Sequence, residues 1–287
     1  MLSKFELLGA VSAGLTNDND VDALILFGSM SRKSDVAGAA DKYSDIDLHL
    51  ITPNPSRFED HNWAKYSPGG KVLLKCVRPV IGGIRKITIL LPEGDLDIVV
   101  LPRKTMKVAR LLLVTGIAKR IPKIALQLNN LATIMGGGLR FLKGENAWGV
   151  FYTRVVVDMP GFRLDNRRVV QMANVAVCDL IWIQKRLKRG ELVAAQRILH
   201  RFVLETNIDL LHELRTRRGD ATFQQARRVE VIVSPLELQC VSVNAKIAEE
   251  ELHGQVIKMY RGLRYLMSAL VPDWSVDSSI EACILLG

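Results

Sequence analysis

The chain has 287 residues, with 39 Lys and Arg against 30 Asp and Glu and a formal net charge of +9. A hydrophobic content of 48% with 24% charged residues excludes a disordered chain, and no apolar run approaches the roughly 20 residues needed to cross a bilayer. The length suits two domains better than one.

Residues 1–15 contain one cation, Lys4, and an apolar stretch broken by Glu6, which predicts an amphipathic first helix and a cytoplasmic protein rather than a signal peptide. Residues 21–27 (VDALILF) are a short apolar run stopped by Gly28, the pattern of a buried strand. Residues 45–51 alternate strictly: Ile46, Leu48 and Leu50 take one face, Asp45, Asp47 and His49 the other. Residues 57–66 predict a short helix ended by Pro68-Gly69-Gly70, and residues 71–77 another strand. Residues 84–91 and 96–101 read as strands joined by a turn at Pro92-Glu93-Gly94-Asp95, after which Pro102 closes the unit.

Beyond Pro102 the pattern changes. Residues 103–164, with Gly136-Gly137-Gly138, read as a connector carrying short strands of its own. Residues 165–188 place Val170, Ala173, Asn174, Val177, Leu180, Ile181 and Gln184 on one helical face. Residues 192–203 repeat that spacing after Gly190, and residues 236–270 supply one long helix or two. The fold class expected is an α/β N-terminal domain (1–102, a mixed sheet with flanking helices), a connector (103–164) and a C-terminal α-helical bundle domain (165–287). Charge divides unevenly: residues 1–102 hold 11 basic and 13 acidic side chains, residues 103–287 hold 28 and 17. A basic surface points to anionic partners. Cys76, Cys178, Cys240 and Cys283 have no metal-ligand spacing and read as reduced thiols.

The first domain concentrates the chemistry. Gly28-Ser29, followed by Arg32 and Lys33, ends a strand, where a glycine lets backbone N–H groups approach a phosphate closely. Asp45 and Asp47, two apart on a strand, point the same way and suit a hard divalent cation. Asp97, opening a further strand, brings a third carboxylate. Two metals in such a site stabilise the attacking and leaving oxygens of an in-line displacement at phosphorus.

Gly28-Ser29 with Arg32, then Asp45-Ile46-Asp47-Leu48, resembles the signature of the DNA polymerase beta-like nucleotidyltransferase superfamily. Leu96-Asp97-Ile98-Val99-Val100-Leu101-Pro102 and the Trp63 segment are similar to the aminoglycoside (streptomycin) 6-adenylyltransferases. The helices from about Asn174 to Leu211, and the stretch from Leu252 to Trp274, resemble the second domain of that family. The resemblance implies that Asp45 and Asp47 ligate Mg2+ and the triphosphate, and that Asp97 is a base or third ligand. It also implies that Gly28, Ser29 and Arg32 grip the phosphates. The gap of fifteen residues between Ser29 and Asp45 is long, and Lys33 replaces a glycine common among relatives.

Secondary candidates are His49, read as capping the sheet edge, and Lys71, Lys75 and Arg85, read as solvated strand positions. Trp63 and Tyr66 read as core. Glu205 and Asp209, one helical turn apart, suit a cationic acceptor or a solvated face equally. The runs 185–189 and 215–218 read as basic helix ends. The function expected is Mg2+-dependent transfer of AMP from ATP to a hydroxyl of a small acceptor, an aminoglycoside such as streptomycin, bound by the helical domain. The alternatives are transfer to tRNA or protein, and a catalytically silent nucleotide-binding or antitoxin-like protein. The expected partners are a nucleoside triphosphate and a small hydroxylated acceptor, with nucleic acid second, no membrane, and a monomer or homodimer.

Overall fold

The computed structural model describes residues 4–32, 39–80, 83–161, 163–222 and 226–287. The chain divides into two compact units, Met1–Phe162 and Arg163–Gly287.

The first unit opens with helix α1 (Lys4–Thr16) and strand β1 (Ala23–Phe27), every residue of which is buried. Strand β2 (Ile46–Thr52) returns antiparallel beside β1. Two short 3₁₀ turns, Pro55–Phe58 and Trp63–Tyr66, stand where a single helix was expected, and Pro55 starts the first of them. Strands β3 (Leu74–Pro79), β4 (Arg85–Leu91) and β5 (Gly94–Pro102) follow. The hairpin between β4 and β5 is tighter than expected, since Leu91 pairs directly with Gly94.

Residues 103–161, expected as a connector, supply helices α2 (Arg103–Val114), α3 (Pro122–Met135) and α4 (Glu145–Asp158) and strand β6 (Leu139–Lys143). β6 pairs antiparallel with β1, so this stretch is part of the first unit. The six-stranded sheet has the order β3-β4-β5-β2-β1-β6, and its parallel pair is β2 with β5. The sheet is mixed, with helices on both faces.

Strand alternation assigns the faces. Leu24 and Leu26 of β1, Ile46, Leu48 and Leu50 of β2, and Leu96, Ile98 and Val100 of β5 pack on α1, Phe58 and Trp63. Ile25, Phe27, Ile51 and Leu101 join a second core with Met106 of α2, Leu128 of α3 and Tyr152 of α4. The face that carries Asp47 and Asp97 is therefore the one packed against α2, α3 and α4.

The second unit is helical: α5 (Asn166–Leu187), α6 (Leu192–Ile198), a π-helical turn (Leu199–Leu204), α7 (Glu205–Arg218), α8 (Val229–Ile232), α9 (Pro235–Cys240), α10 (Glu249–Leu270) and α11 (Ser278–Leu286). The buried face of α5 comprises Val169, Ala173, Ala176, Val177, Leu180, Ile183, Gln184 and Leu187. It is rotated from the expected stripe, leaving Asn174 exposed, where its Oδ1 accepts from Trp274 Nε1 at 3.0 Å. Buried Asn207 donates Nδ2 to the carbonyls of Cys240 and Met259, tying α7 to α9 and α10. The basic run 215–218 is more than a helix end: Arg215 and Arg218 pair with buried Glu237, and Arg217 with buried Glu213.

Candidate active site

Two turns position the site. β1 ends at Phe27, and Gly28 takes φ 71°, ψ −153°, a conformation essentially reserved for glycine. A Cβ on Gly28 would lie 2.2 Å from Asp47 Oδ2, so the backbone of this turn is pressed against that carboxylate. The turn continues as a short 3₁₀ segment, Ser29–Ser31. Before β2, Ser44 accepts from the Asp41 N–H through its hydroxyl, and its carbonyl takes the ammonium of Lys4 on α1. Asp45 leaves this turn one residue ahead of β2, not within it as expected.

The parallel pairing of β2 with β5 sets Asp47 directly beside Asp97 in register. Asp45, Asp47 and Asp97 each offer a carboxylate oxygen, and these atoms lie within 4.8 Å of one another; all three residues are half-buried. Like charges this close repel unless cations balance them. Lys86 Nζ sits 2.7 Å from Asp97 Oδ2 and Thr88 Oγ1 donates to Asp97 Oδ1 at 2.6 Å, both from β4. A divalent cation bound among the three carboxylates would relieve that repulsion further. The all-oxygen donor set is of the kind Mg2+ takes. The cluster can hold a divalent cation.

The Ser29 hydroxyl is buried and has no hydrogen-bond partner. An orphaned hydroxyl beside a carboxylate cluster is costly unless a ligand completes it. Arg32 donates Nε to the carbonyl of Gly137 at 3.1 Å, and Ser31 Oγ lies 2.8 Å from the carbonyls of both Gly28 and Gly138. The triglycine segment is thus fastened to the turn at residues 28–32, a link the sequence did not reveal. Lys33 lies outside the described residues.

The remaining candidates fall elsewhere. His49 is not at a sheet edge: it is buried in the middle of β2, with Nδ1 3.1 Å from the Tyr152 hydroxyl, and its ring meets Phe27 edge-on. Burial pushes its imidazole down to about 3. Lys75 donates to the carbonyl of Glu59 and Arg85 pairs with the Glu59 carboxylate. Lys71 is exposed. Trp63 and Tyr66 are core, with Trp63 Nε1 donating to the carbonyl of Phe58 and Tyr66 OH sharing a hydrogen bond with His61. Glu205 and Asp209 lie on α7 of the second unit, where desolvation first and Glu205 second hold the Asp209 carboxyl above the usual range. Sequence reasoning missed Lys86 and Thr88. Their positions relative to Asp97 follow from the β4–β5 register, where Thr88 faces Asp97.

Among the described residues, no helix is long and apolar enough to cross a membrane. No family model matches the chain, and no curated protein matches it. Among solved structures it is similar to a nucleotidyltransferase-like protein from Exiguobacterium sibiricum, 12% identical over 99% of this chain and 88% of that one, with a TM-score of 0.33. A likeness at that level fixes neither fold nor chemistry, so the functional reading rests on the residues of the site.

Proposed function

We propose that the first unit transfers a nucleoside monophosphate, AMP from ATP, to an acceptor hydroxyl. The observation that carries this reading is the meeting of Asp45, Asp47 and Asp97 within 4.8 Å, beside a glycine turn with an orphaned serine hydroxyl. Three carboxylates held this close repel one another, and a bound cation would relieve that cost.

In this reading Gly28 and Ser29 bind phosphate oxygens, the glycine by allowing close backbone approach and the serine through its buried hydroxyl. Asp45, Asp47 and Asp97 would hold Mg2+, which supplies charge neutralisation for the triphosphate. The acceptor oxygen forms a bond to the α-phosphorus while the bond from that phosphorus to the bridging oxygen breaks. Pyrophosphate departs with the electron pair. The acceptor proton passes to a carboxylate oxygen of Asp97, and Lys86 and Thr88 orient that group. Arg32 braces the turn that carries Gly28 and Ser29 by donating to the Gly137 carbonyl. Positioning and electrostatics provide most of the acceleration in such transfers.

For the acceptor we propose a small, cationic, hydroxylated compound of the aminoglycoside type. What supports it is the resemblance of residues 96–102 and the Trp63 segment to the aminoglycoside 6-adenylyltransferases. Incubation with Mg2+, ATP and a panel of aminoglycosides, lincosamides and tRNA, read by product mass, tests both parts. An AMP-sized gain on an aminoglycoside that disappears in Asp47→Asn supports both. Modified tRNA overturns the acceptor reading alone, and no product with any acceptor counts against nucleotidyl transfer.

A further inference from the structure

Residues 103–144 contain nine Lys and Arg and no Asp or Glu, and no aromatic residue precedes Phe141 in that stretch. α2 buries Met106 and Leu113 against the sheet. Its opposite stripe, Lys104, Lys107, Val108, Leu111 and Val114, is exposed, at the three- and four-residue spacing of a single helix face. A solvated helix face is ordinarily polar. This one begins with two lysines and becomes aliphatic toward its C-terminal end: Val108 is 57% exposed, Leu111 62% and Val114 53%.

The link to α3 continues the pattern. Of residues 114–123 only Ala118 is buried, so this segment, the tip between α2 and α3, lies at the surface. It carries Ile117 and Ile121, 43% and 38% exposed, together with Lys119, Arg120 and Lys123. Three of the nine cations are committed elsewhere: Arg103 to Asp22, Arg110 to the carbonyl of Ala147, and Lys143 to the carbonyl of Asp18. Lys119 and Arg120 lie between Ile117 and Ile121 in the sequence, and Lys123 follows.

We propose that this end of the first unit, the outer face of α2 and the tip leading into α3, docks on an anionic lipid bilayer. Exposed aliphatic side chains interspersed in sequence with lysine and arginine match such a surface on both counts: the apolar groups enter the headgroup boundary while the cations meet the lipid charge. Nucleic acid fits less well, because aliphatic side chains gain nothing from phosphates and no aromatic ring is present to stack a base. A second copy of the same surface would set cation against cation. The absence of a spanning helix does not bear on this, since a surface-bound segment need not span. The proposal stands independently of nucleotidyl transfer.

The full-length protein is floated with vesicles of phosphatidylcholine alone and of phosphatidylcholine mixed with phosphatidylglycerol. Binding to the mixed vesicles only is expected. One cation near an anionic surface is worth about a fivefold change in partitioning, so Lys119→Glu with Arg120→Glu should weaken binding by at least roughly 25-fold. Leu111→Ser with Ile117→Ser should weaken it on the order of tenfold. All four positions are exposed, so unchanged melting temperatures verify that the variants fold. Three results overturn the proposal: no binding to mixed vesicles, binding indifferent to the aliphatic pair, or self-association in solution abolished by that pair. A homopolymeric RNA that displaces the vesicles and is held equally by the aliphatic variant assigns the surface to nucleic acid instead.

Discussion

Replacing Gly28 with alanine tests the site and the fold together. At φ 71°, ψ −153° an alanine backbone costs about 1–3 kcal/mol. The new Cβ would lie 2.2 Å from Oδ2, 3.0 Å from Cγ and 3.3 Å from Cβ of Asp47. The obstructing atoms belong to a side chain, so the least costly escape is rotation of the Asp47 carboxylate out of the cluster. The stability loss is then mostly backbone strain, about 2 kcal/mol, which lowers the melting temperature of a unit this size by roughly 4–8 °C. Displacing one of three ligands should weaken divalent-cation binding on the order of 10–100-fold. Thermal melts and a Mn2+ titration of wild type, Gly28→Ala and Asp47→Asn measure both effects. The asparagine variant should show a similar affinity loss without the backbone strain. Wild-type Mn2+ affinity in Gly28→Ala would refute the reasoning, because the clash would then have been relieved without moving Asp47.

Other outcomes follow from named contacts. Lys86→Met removes the ammonium that competes with a metal for Asp97; the lysine is partly exposed, so a Mn2+ titration should show only a two- to fivefold tightening, and weaker binding would mean that Lys86 orients Asp97 more than it competes. His61 is pushed down to about 4, first by burial and then by Lys65, with Arg57 adding to the effect of Lys65 against an opposing Asp18. The unfolded chain therefore binds a proton near pH 6.5 that the folded one refuses until about pH 4, so stability falls as pH drops through that window. Urea midpoints at pH 7 and 5 should reveal about 1–2 kcal/mol of extra loss in wild type that His61→Gln lacks, and equal losses would contradict this. Glu213, buried, takes Arg217 Nε at 2.8 Å and the Leu164 N–H at 2.9 Å. Arg163 Nε also lies 3.4 Å from Glu213 Oε1, so Arg217→Met should cost the second unit about 2 kcal/mol in urea unfolding, short of the cost of an uncompensated buried charge, and a loss below about 1 kcal/mol would rule that out.

Much of the first unit was legible because strand alternation is local. The period of two from Asp45 to Ile51 separates the core residues Ile46, Leu48 and Leu50 from the side bearing Asp47 and His49, and the structure preserves that division. The apolar run at residues 21–27 and the turn before Gly94 marked β1 and the β4–β5 hairpin for the same reason. Residues 103–161 were not legible: β6 is five residues long, and its place beside β1 is a pairing across more than a hundred positions. The face of α5 was misplaced because the exposed Asn174 was counted with the apolar stripe. His49 lies in a central strand, not at an edge, because the strand order is a nonlocal property.

By itself the sequence determined which residue types suit the chemistry, a glycine-serine turn and three aspartates, and which face of β2 carries Asp47. It set Asp45 inside β2 and Asp97 at the start of β5, whereas Asp45 precedes β2 and Asp97 is the fourth residue of β5. Only the tertiary structure decided that they meet. The parallel register of β2 and β5 brings Asp97 beside Asp47, the β4 pairing supplies Lys86 and Thr88, and the glycine segment 136–138 braces Arg32. Side-chain direction follows from local backbone geometry, whereas register and strand order follow from burying both faces of one sheet at once.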